Sequence, residues 1–231
     1  SSISVIKSIS MLPYGGYVNS VAVSNGKLAA AIESTDKQAA GKVVVFNTTT
    51  YALIKSINVG SLPDMVTFSP DGNYILTANE GEPSDDYLND PEGTVSIIKV
   101  SDYSVTTLNF ASFESQLASL TSKGFRIFGP GKNFVKDIEP EYITISDDSK
   151  TAYVTLQENN AIAEVDIASA SIKKISPLGF KDYSLAANAT DVSDKDNKVE
   201  FNTFSKVYGI YMPDAIAYFN HNGTPYLFTA N

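Results

Sequence analysis

The chain repeats a strand–turn–strand unit, and that repeat limits its fold more than any other feature. Leu62-Pro63-Asp64-Met65-Val66-Thr67-Phe68 leads through Asp71-Gly72 into Tyr74-Ile75-Leu76-Thr77-Ala78-Asn79. Near the end, Met212-Pro213-Asp214-Ala215-Ile216-Ala217-Tyr218 leads through Asn222-Gly223 into Tyr226-Leu227-Phe228-Thr229-Ala230-Asn231. A looser copy joins Pro140-Glu141-Tyr142-Ile143-Thr144-Ile145 to Ala152-Tyr153-Val154-Thr155 through Asp147-Asp148. Each copy opens with proline and an acid, turns on polar residues and continues as a second apolar strand. Such periodicity marks a β-propeller, in which blades of four antiparallel strands repeat around an axis.

Four short β-rich runs, Val18–Val23, Leu28–Ile32, Lys42–Asn47 and Ala52–Val59, make a first blade, with Asn25-Gly26 as a hairpin turn. The pattern predicts blades over about 17–59, 62–109 and 141–176, then a truncated blade over 212–231. The expected fold is thus all-β, an incomplete ring of about three and a half blades. Insertions interrupt it at 80–92, 110–139 and 179–205. Phe113, Leu117 and Leu120 stand at helical spacing within the second, which predicts one short helix there. Connectors of this length point to binding or metal-holding loops. A chain that starts at Ser1 and stops after the second strand of a repeat reads as part of a longer protein, completed by further blades of the same precursor or by a second chain.

Asp64, Glu141 and Asp214 each follow a proline at the head of a blade's first strand, and Asn19 holds the matching place before Val21-Ala22-Val23. First strands line a propeller's channel, so these positions converge at one face. Oxygen ligands from several blades suit Ca²⁺, which takes 6–8 oxygens at about 2.3–2.6 Å. Carboxylates brought together repel unless a cation offsets them. A second candidate is the loop Asp191-Val192-Ser193-Asp194-Lys195-Asp196-Asn197, whose alternating acids resemble the start of a calcium loop without the glycine and distal glutamate of an EF-hand. The third is the stretch from Glu80 to Glu92, with Glu80, Glu82, Asp85, Asp86 and Asp90 as possible ligands. The plain alternative for the first set is that the acids cap strand entries, solvated or bonded to backbone N–H groups of the neighbouring blade; for the two loops it is a solvated acidic turn.

Lys+Arg number 17 against 26 Asp+Glu, a net charge of −9. That surface disfavours nucleic acid and anionic membrane. No apolar run approaches the roughly 20 residues that span a bilayer. Without cysteine there are no disulfides and no thiolate metal sites. The single histidine, His221, lies in the turn Asn220-His221-Asn222-Gly223, and no Gly-x-Ser-x-Gly elbow accompanies it. The only arginine, Arg126, stands near Lys132 and Lys136, a basic trio able to hold phosphate. Asn47, Asn188 and Asn222 open N-x-Ser/Thr triplets, acceptors for glycans if the source is a eukaryotic secretory pathway.

Several long motifs occur in order: Gly60-Ser61-Leu62-Pro63-Asp64-Met65-Val66-Thr67-Phe68-Ser69-Pro70-Asp71-Gly72, Asn79-Glu80-Gly81-Glu82-Pro83-Ser84-Asp85-Asp86-Tyr87, Asp90-Pro91-Glu92-Gly93, Arg126-Ile127-Phe128-Gly129-Pro130-Gly131 and Glu139-Pro140-Glu141-Tyr142-Ile143. With Ala152-Tyr153-Val154-Thr155-Leu156-Gln157-Glu158-Asn159-Asn160-Ala161, they resemble the choice-of-anchor I propeller family over nearly the whole chain. The resemblance implies a propeller of about seven blades, longer than this chain. It implies a secreted or cell-surface protein, since members include bacterial surface-anchored proteins and animal cell-surface glycoproteins tied to biomineralisation. Some bacterial members carry the name alkaline phosphatase. The expectation is therefore a calcium-binding module for adhesion, matrix or mineral contact. The alternative is a calcium-dependent phosphoric-ester hydrolase, and the third a structural piece completed by a second chain.

Overall fold

The structure is a computed structural model that describes residues 4–231. Strands β1 (Val18–Ser24), β2 (Lys27–Ile32), β3 (Ala40–Asn47) and β4 (Leu53–Ser61) form one antiparallel sheet in sequence order. β5 (Pro63–Phe68), β6 (Tyr74–Asn79), β7 (Thr94–Lys99) and β8 (Val105–Leu108) form the second. β9 (Pro140–Ile145), β10 (Thr151–Leu156), β11 (Ala161–Asp166) and β12 (Ser171–Pro177) form the third. A two-residue pair, β13 (Lys181–Asp182) with β14 (Tyr208–Gly209), braces the last insertion. The hairpin of β15 (Ala215–His221) and β16 (Thr224–Ala230) closes the chain. First strands are neighbours throughout: β1 lies against β5, β5 against β9, and β9 against β15. The sheets are therefore blades arranged about an axis, as the repeat requires. Among the described residues no strand pairing joins the last sheet to the first.

The middle strands of the first blade read as unbroken apolar runs because both of their faces are covered. Ala29, Ala31, Val43, Val45, Ile57 and Val59 pack against Val66, Ile75 and Ile98 of the second blade. Ala30, Ile32, Val44 and Phe46 face the other way, under Ile9, Met11 and Tyr14 of the segment before β1. The second and third blades share a larger core, with Met65, Leu76, Val95 and Ile97 on one side and Ile143, Val154, Ala163 and Val165 on the other.

The insertion between β8 and β9 belongs to that core. A 3₁₀ turn over Ala111–Gln116 runs into α1 (Leu117–Thr121), and Phe113 and Leu120 point inward as their spacing predicts. Phe110, Phe134 and Ile138 are fully buried beside them. The segment is thus a structural plug as much as a connector. The interface of the third and fourth blades is polar instead. Tyr153 stacks on Tyr218 with ring centroids 6.1 Å apart, the Tyr218 amide donates to Thr144 Oγ1 (3.0 Å), and Thr155 Oγ1 donates to the Asp214 carbonyl (3.2 Å).

The repeat motif has a packing reason. Pro63 and Pro140 head the first strands of their blades and are buried. Each sits where the preceding blade offers a glycine: a Cβ on Gly41 would lie 2.3 Å from Pro63 Cδ, and one on Gly93 would lie 2.6 Å from Pro140 Cδ and 1.9 Å from the Ile138 carbonyl oxygen. A Gly93→Ala substitution is therefore expected to destabilise the fold by about 2 kcal/mol or more, since the obstacle is backbone and cannot swing away. Urea denaturation of the variant measures this, and an unchanged midpoint would contradict the close approach.

The turns from first to second strand are built alike. Ser69 Oγ donates to Asp71 Oδ1 (2.6 Å) and accepts from the Tyr74 amide (3.0 Å), while Ser146 Oγ makes the same bonds to Asp148 (2.7 Å) and from Thr151 (3.0 Å). The Asp71 amide donates to Ser149 Oγ at 3.0 Å, which stitches neighbouring blades together at this end. Asn25-Gly26 and Asn222-Gly223 each place two positive φ angles in succession, the twist a two-residue hairpin needs.

Candidate functional site

At the opposite end, the first strands of the three four-stranded blades start with a disturbed pairing register, whereas β15 pairs with β16 in regular register. The irregularity falls between Val18 and Ser20, between Pro63 and Met65, and on β9 between Pro140 and Ile143. The residues left out of register are Asn19, Asp64, and Glu141 with Tyr142. A bulge frees one residue from the ladder and re-aims its side chain. The chain enters β5 and β15 through left-handed residues that are not glycine, Leu62 (φ 46°) and Met212 (φ 47°). Held by the Glu80 amide, which donates to the Leu62 carbonyl (2.9 Å), the first brings β5 beside the exit of β6.

The structure brings Asp64, Glu141 and Asp214 into one electrostatic neighbourhood. Burial and then the Asp214 charge push the Asp64 carboxyl above its ordinary range. Burial, followed by Asp64, Glu158 and Asp214, pushes Glu141 up to about 7. Asn19 turns away: its Nδ2 donates to the Pro63 carbonyl (3.3 Å), a clamp between the first two blades.

A second set of acids stands just past the second strand of each blade. Glu33 follows β2, Glu80 follows β6 and Glu158 follows β10, so strand pairing sets them beside the first set. Burial, with Glu141, Glu82, Glu139 and Asp64 nearby, pushes Glu80 up to about 9. Burial, with Glu158 and Asp137 nearby, pushes Glu139 up to about 8. Glu158 is also raised, mainly by burial, and its Oε2 is shut from solvent with no hydrogen-bond partner. Lys37 Nζ donates to Glu82 at the rim, and the Arg126 charge near Glu158 partly offsets the rise there. Among the described residues no three acidic or histidine side chains stand together as a ready-made metal cage. The carboxylates surround space instead, a cavity of about 330 Å³ lined by Glu80, Glu82, Glu139 and Glu158 with Tyr87 and Phe128.

Sequence reasoning missed Glu139, Glu158 and the asparagines that hold them. Asn159 is fully buried; its Nδ2 donates to the carbonyls of Arg126 (3.1 Å) and Asp137 (2.6 Å), and its Oδ1 accepts from the Glu139 amide (3.2 Å). Asn160 is also fully buried; it donates to the Gly124 (3.0 Å) and Gly179 (2.7 Å) carbonyls and accepts from the amides of Tyr211 (3.1 Å) and Met212 (3.3 Å). The usable signal was Glu158, which follows its second strand much as Glu80 follows Asn79.

The other candidates lie apart or are engaged locally. Asp85 lines the acidic cavity, but Asp86 accepts from Ser84 Oγ (2.7 Å) and the Leu88 amide (3.0 Å) and is exposed. The Leu88 amide and then Ser84 hold its carboxyl below the usual range. Asp90 is raised by burial and faces Lys136. Asp191 accepts from the amides of Ser193 (3.2 Å) and Glu200 (3.1 Å), and Asp196 from that of Lys198 (3.1 Å). Asp191 and Asp194 border a different cavity, beside Lys198.

Of the basic trio, Arg126 and Lys132 border one groove of about 790 Å³ and Lys136 faces Asp90. Arg126 donates from Nη1 to the Glu158 carbonyl (3.0 Å) and towards Met212 Sδ (3.6 Å). Of the glycan candidates, Asn47 Oδ1 accepts from the amides of Thr49 and Thr50, Asn188 Nδ2 donates to the Asp182 carbonyl (2.9 Å), and Asn222 occupies the exposed hairpin turn.

Among solved structures, the Kuenenia stuttgartiensis hydrazine synthase is similar with a TM-score of 0.50 at 11% identity, over 91% of this chain and 58% of that one. The chain thus spans less than two thirds of that relative's length. The RRP9 WD40 repeats match with a TM-score of 0.46 at 11% identity, over 69% of this chain and 38% of theirs. The β-propeller domain of the trilobed protease from Pyrococcus furiosus matches at 0.43 and 13% identity, over 72% and 45%. At 11% identity the likeness to the hydrazine synthase speaks of fold alone. No curated protein matches the sequence. The choice-of-anchor I domain model, by contrast, matches residues 1–231. A match over every residue of the repeat, on blades stacked as that repeat requires, means that this chain belongs to the choice-of-anchor I domain family.

Proposed function

We propose that this chain is a surface or extracellular binding module whose acidic propeller face takes up Ca²⁺ and contacts its partner through it, without catalysing a reaction. Family membership points to the cell surface or exterior. Among the described residues no helix is long and apolar enough to cross a membrane. The observation that carries the calcium reading is the gathering of Asp64, Glu80, Glu141 and Asp214 from three blades, at sites that strand bulges and exits fix. Burial, and then the neighbouring carboxylates, raise the proton affinity of Asp64, Glu80 and Glu141, the condition under which a divalent cation gives most relief. Hard oxygen donors without histidine or sulfur suit Ca²⁺. Water, or oxygens from a neighbouring blade or partner chain, completes the coordination in this proposal.

The hydrolase alternative has less support. It needs Arg126 free for phosphate, whereas its Nη1 holds the Glu158 carbonyl, and Lys136 faces Asp90. The third alternative, completion of the ring by a second chain, is compatible with calcium binding.

Millimolar Ca²⁺ is expected to raise the melting temperature by several degrees, because an ion that binds only the native state stabilises it by mass action. Asp64→Asn and Asp214→Asn should each weaken that rise, while Asp194→Asn should leave it intact. A melting temperature indifferent to Ca²⁺ would sink the calcium reading. Release of phosphate from an aryl phosphate would favour the hydrolase.

A further inference from the structure

The cavity between the acidic loop and the turn after β10 is off the line of the first strands, and its lining differs in kind from a metal cage. Its carboxylates enclose about 330 Å³ rather than meeting at a point. Glu139 lines it while only 4% exposed; its carboxyl stands beside that of Glu158, and among the described residues no nitrogen donates to it. Glu158 contributes an oxygen with neither solvent nor partner. Buried carboxylates without donors are costly, so the lining favours a ligand that brings several N–H donors and a positive charge. Tyr87 and Phe128 complete the wall, and aromatic rings attract organic cations.

These walls are fixed in advance. The Tyr87 amide donates to the Ser84 carbonyl (2.7 Å), and the Phe128 amide donates to the Asp137 carboxylate (2.7 Å). The Glu139 amide is held by Asn159. The chain itself supplies a precedent, since the Lys37 ammonium rests on Glu82 at the cavity rim.

We propose that this cavity binds a primary alkylammonium group, as carried by a lysine side chain of a basic partner segment. The ammonium head offers three donors to Glu139, Glu158 and Glu80, and its methylene stem lies along Tyr87 and Phe128. The site shares Glu80 with the calcium reading but not Asp64, Glu141 or Asp214, so the Glu139/Glu158 variant tests it separately from the Asp64 and Asp214 variants.

Isothermal titration of the 231-residue chain with tetralysine, with its side-chain-acetylated counterpart and with spermidine tests the proposal. Tetralysine should bind and the acetylated peptide should not; spermidine binding of equal strength would assign the site to free polyamines instead of a protein segment. The double substitution Glu139→Gln with Glu158→Gln should weaken tetralysine binding about tenfold or more. Asp191→Asn with Asp194→Asn, the same charge change elsewhere, should not. Carbodiimide coupling of tetralysine to the unmutated chain should map by mass spectrometry to Glu80, Glu139 or Glu158, a readout that survives if the variants fold poorly. Absence of binding, equal weakening by both double variants, or coupling spread over the acidic surface would overturn the proposal. So would calcium binding that the Glu139/Glu158 pair alone abolishes, which would make the cavity a metal site and leave the calcium reading standing.

Discussion

Asn160→Ala is expected to destabilise the protein by about 3 kcal/mol, the largest effect of any single side chain outside the apolar core. The Asn160 amide ties together the plug insertion at Gly124, the following excursion at Gly179 and the approach to the last hairpin at Tyr211 and Met212. Its removal leaves two carbonyls and two amides without their partner at buried and half-buried positions. At this chain length about 3 kcal/mol corresponds to a fall of roughly 6–12 °C in melting temperature. Asn160 also has a left-handed backbone (φ 56°), which asparagine tolerates better than alanine does. Asn160→Gly separates the two causes. If the hydrogen bonds matter most, glycine will be nearly as damaging as alanine, and amide exchange will quicken around Gly124, Gly179 and Tyr211 in both. Recovery of stability by glycine would assign the effect to the backbone.

In calcium-free buffer, stability is expected to fall as pH rises from about 5 to about 9. In the native state Glu141, Glu139 and Glu80 keep their protons up to about 7, 8 and 9, against an ordinary value of 4.5. Between those limits the native chain binds more protons than the unfolded chain, so raising pH favours unfolding. Each group adds a slope of up to about 1.4 kcal/mol per pH unit between its two values, and their mutual coupling makes the joint effect smaller than the sum. The acids held below their usual range, such as Asp71, Asp86 and Asp148, work in the opposite sense: their stabilisation is lost only as pH falls through their low folded values. They do not mask the trend above pH 5. Glu80→Gln should flatten the alkaline part of the profile and raise the melting temperature near pH 9. Melting curves across the range give the sign directly, and a profile that rises towards pH 9 would contradict the clustering of these acids.

Both effects arise at residues whose local sequence gave little warning. Asp64, Glu141 and Asp214 could be aligned because each begins a repeat after a buried proline. The bulges that re-aim Asp64 and Glu141 lie at those same positions. Asn19 aligned equally well, yet its side chain serves as a clamp on Pro63. Repeat position places a residue at one face, but the neighbouring blade decides which way its side chain turns. The apolar faces of the plug were legible at Phe113, Leu117 and Leu120, where helical spacing survives a local change from 3₁₀ to α geometry. Phe134 and Ile138 carry no such period, and only the path of the insertion buries them.

The sequence by itself determined the sheet class and the repeated strand–turn–strand unit, because antiparallel pairing, Asn-Gly turns and apolar runs are encoded within a few residues of one another. It also determined the surplus of negative charge. The tertiary structure alone decided where that charge gathers. Glu80, Glu139 and Glu158 come from three separate stretches of chain, and their meeting depends on blade stacking, on glycines that admit Pro63 and Pro140, and on Asn159 and Asn160 holding the insertions in place. Electrostatic coupling falls with distance in space, not along the chain, so the proton affinities of these acids exist only once the blades are packed.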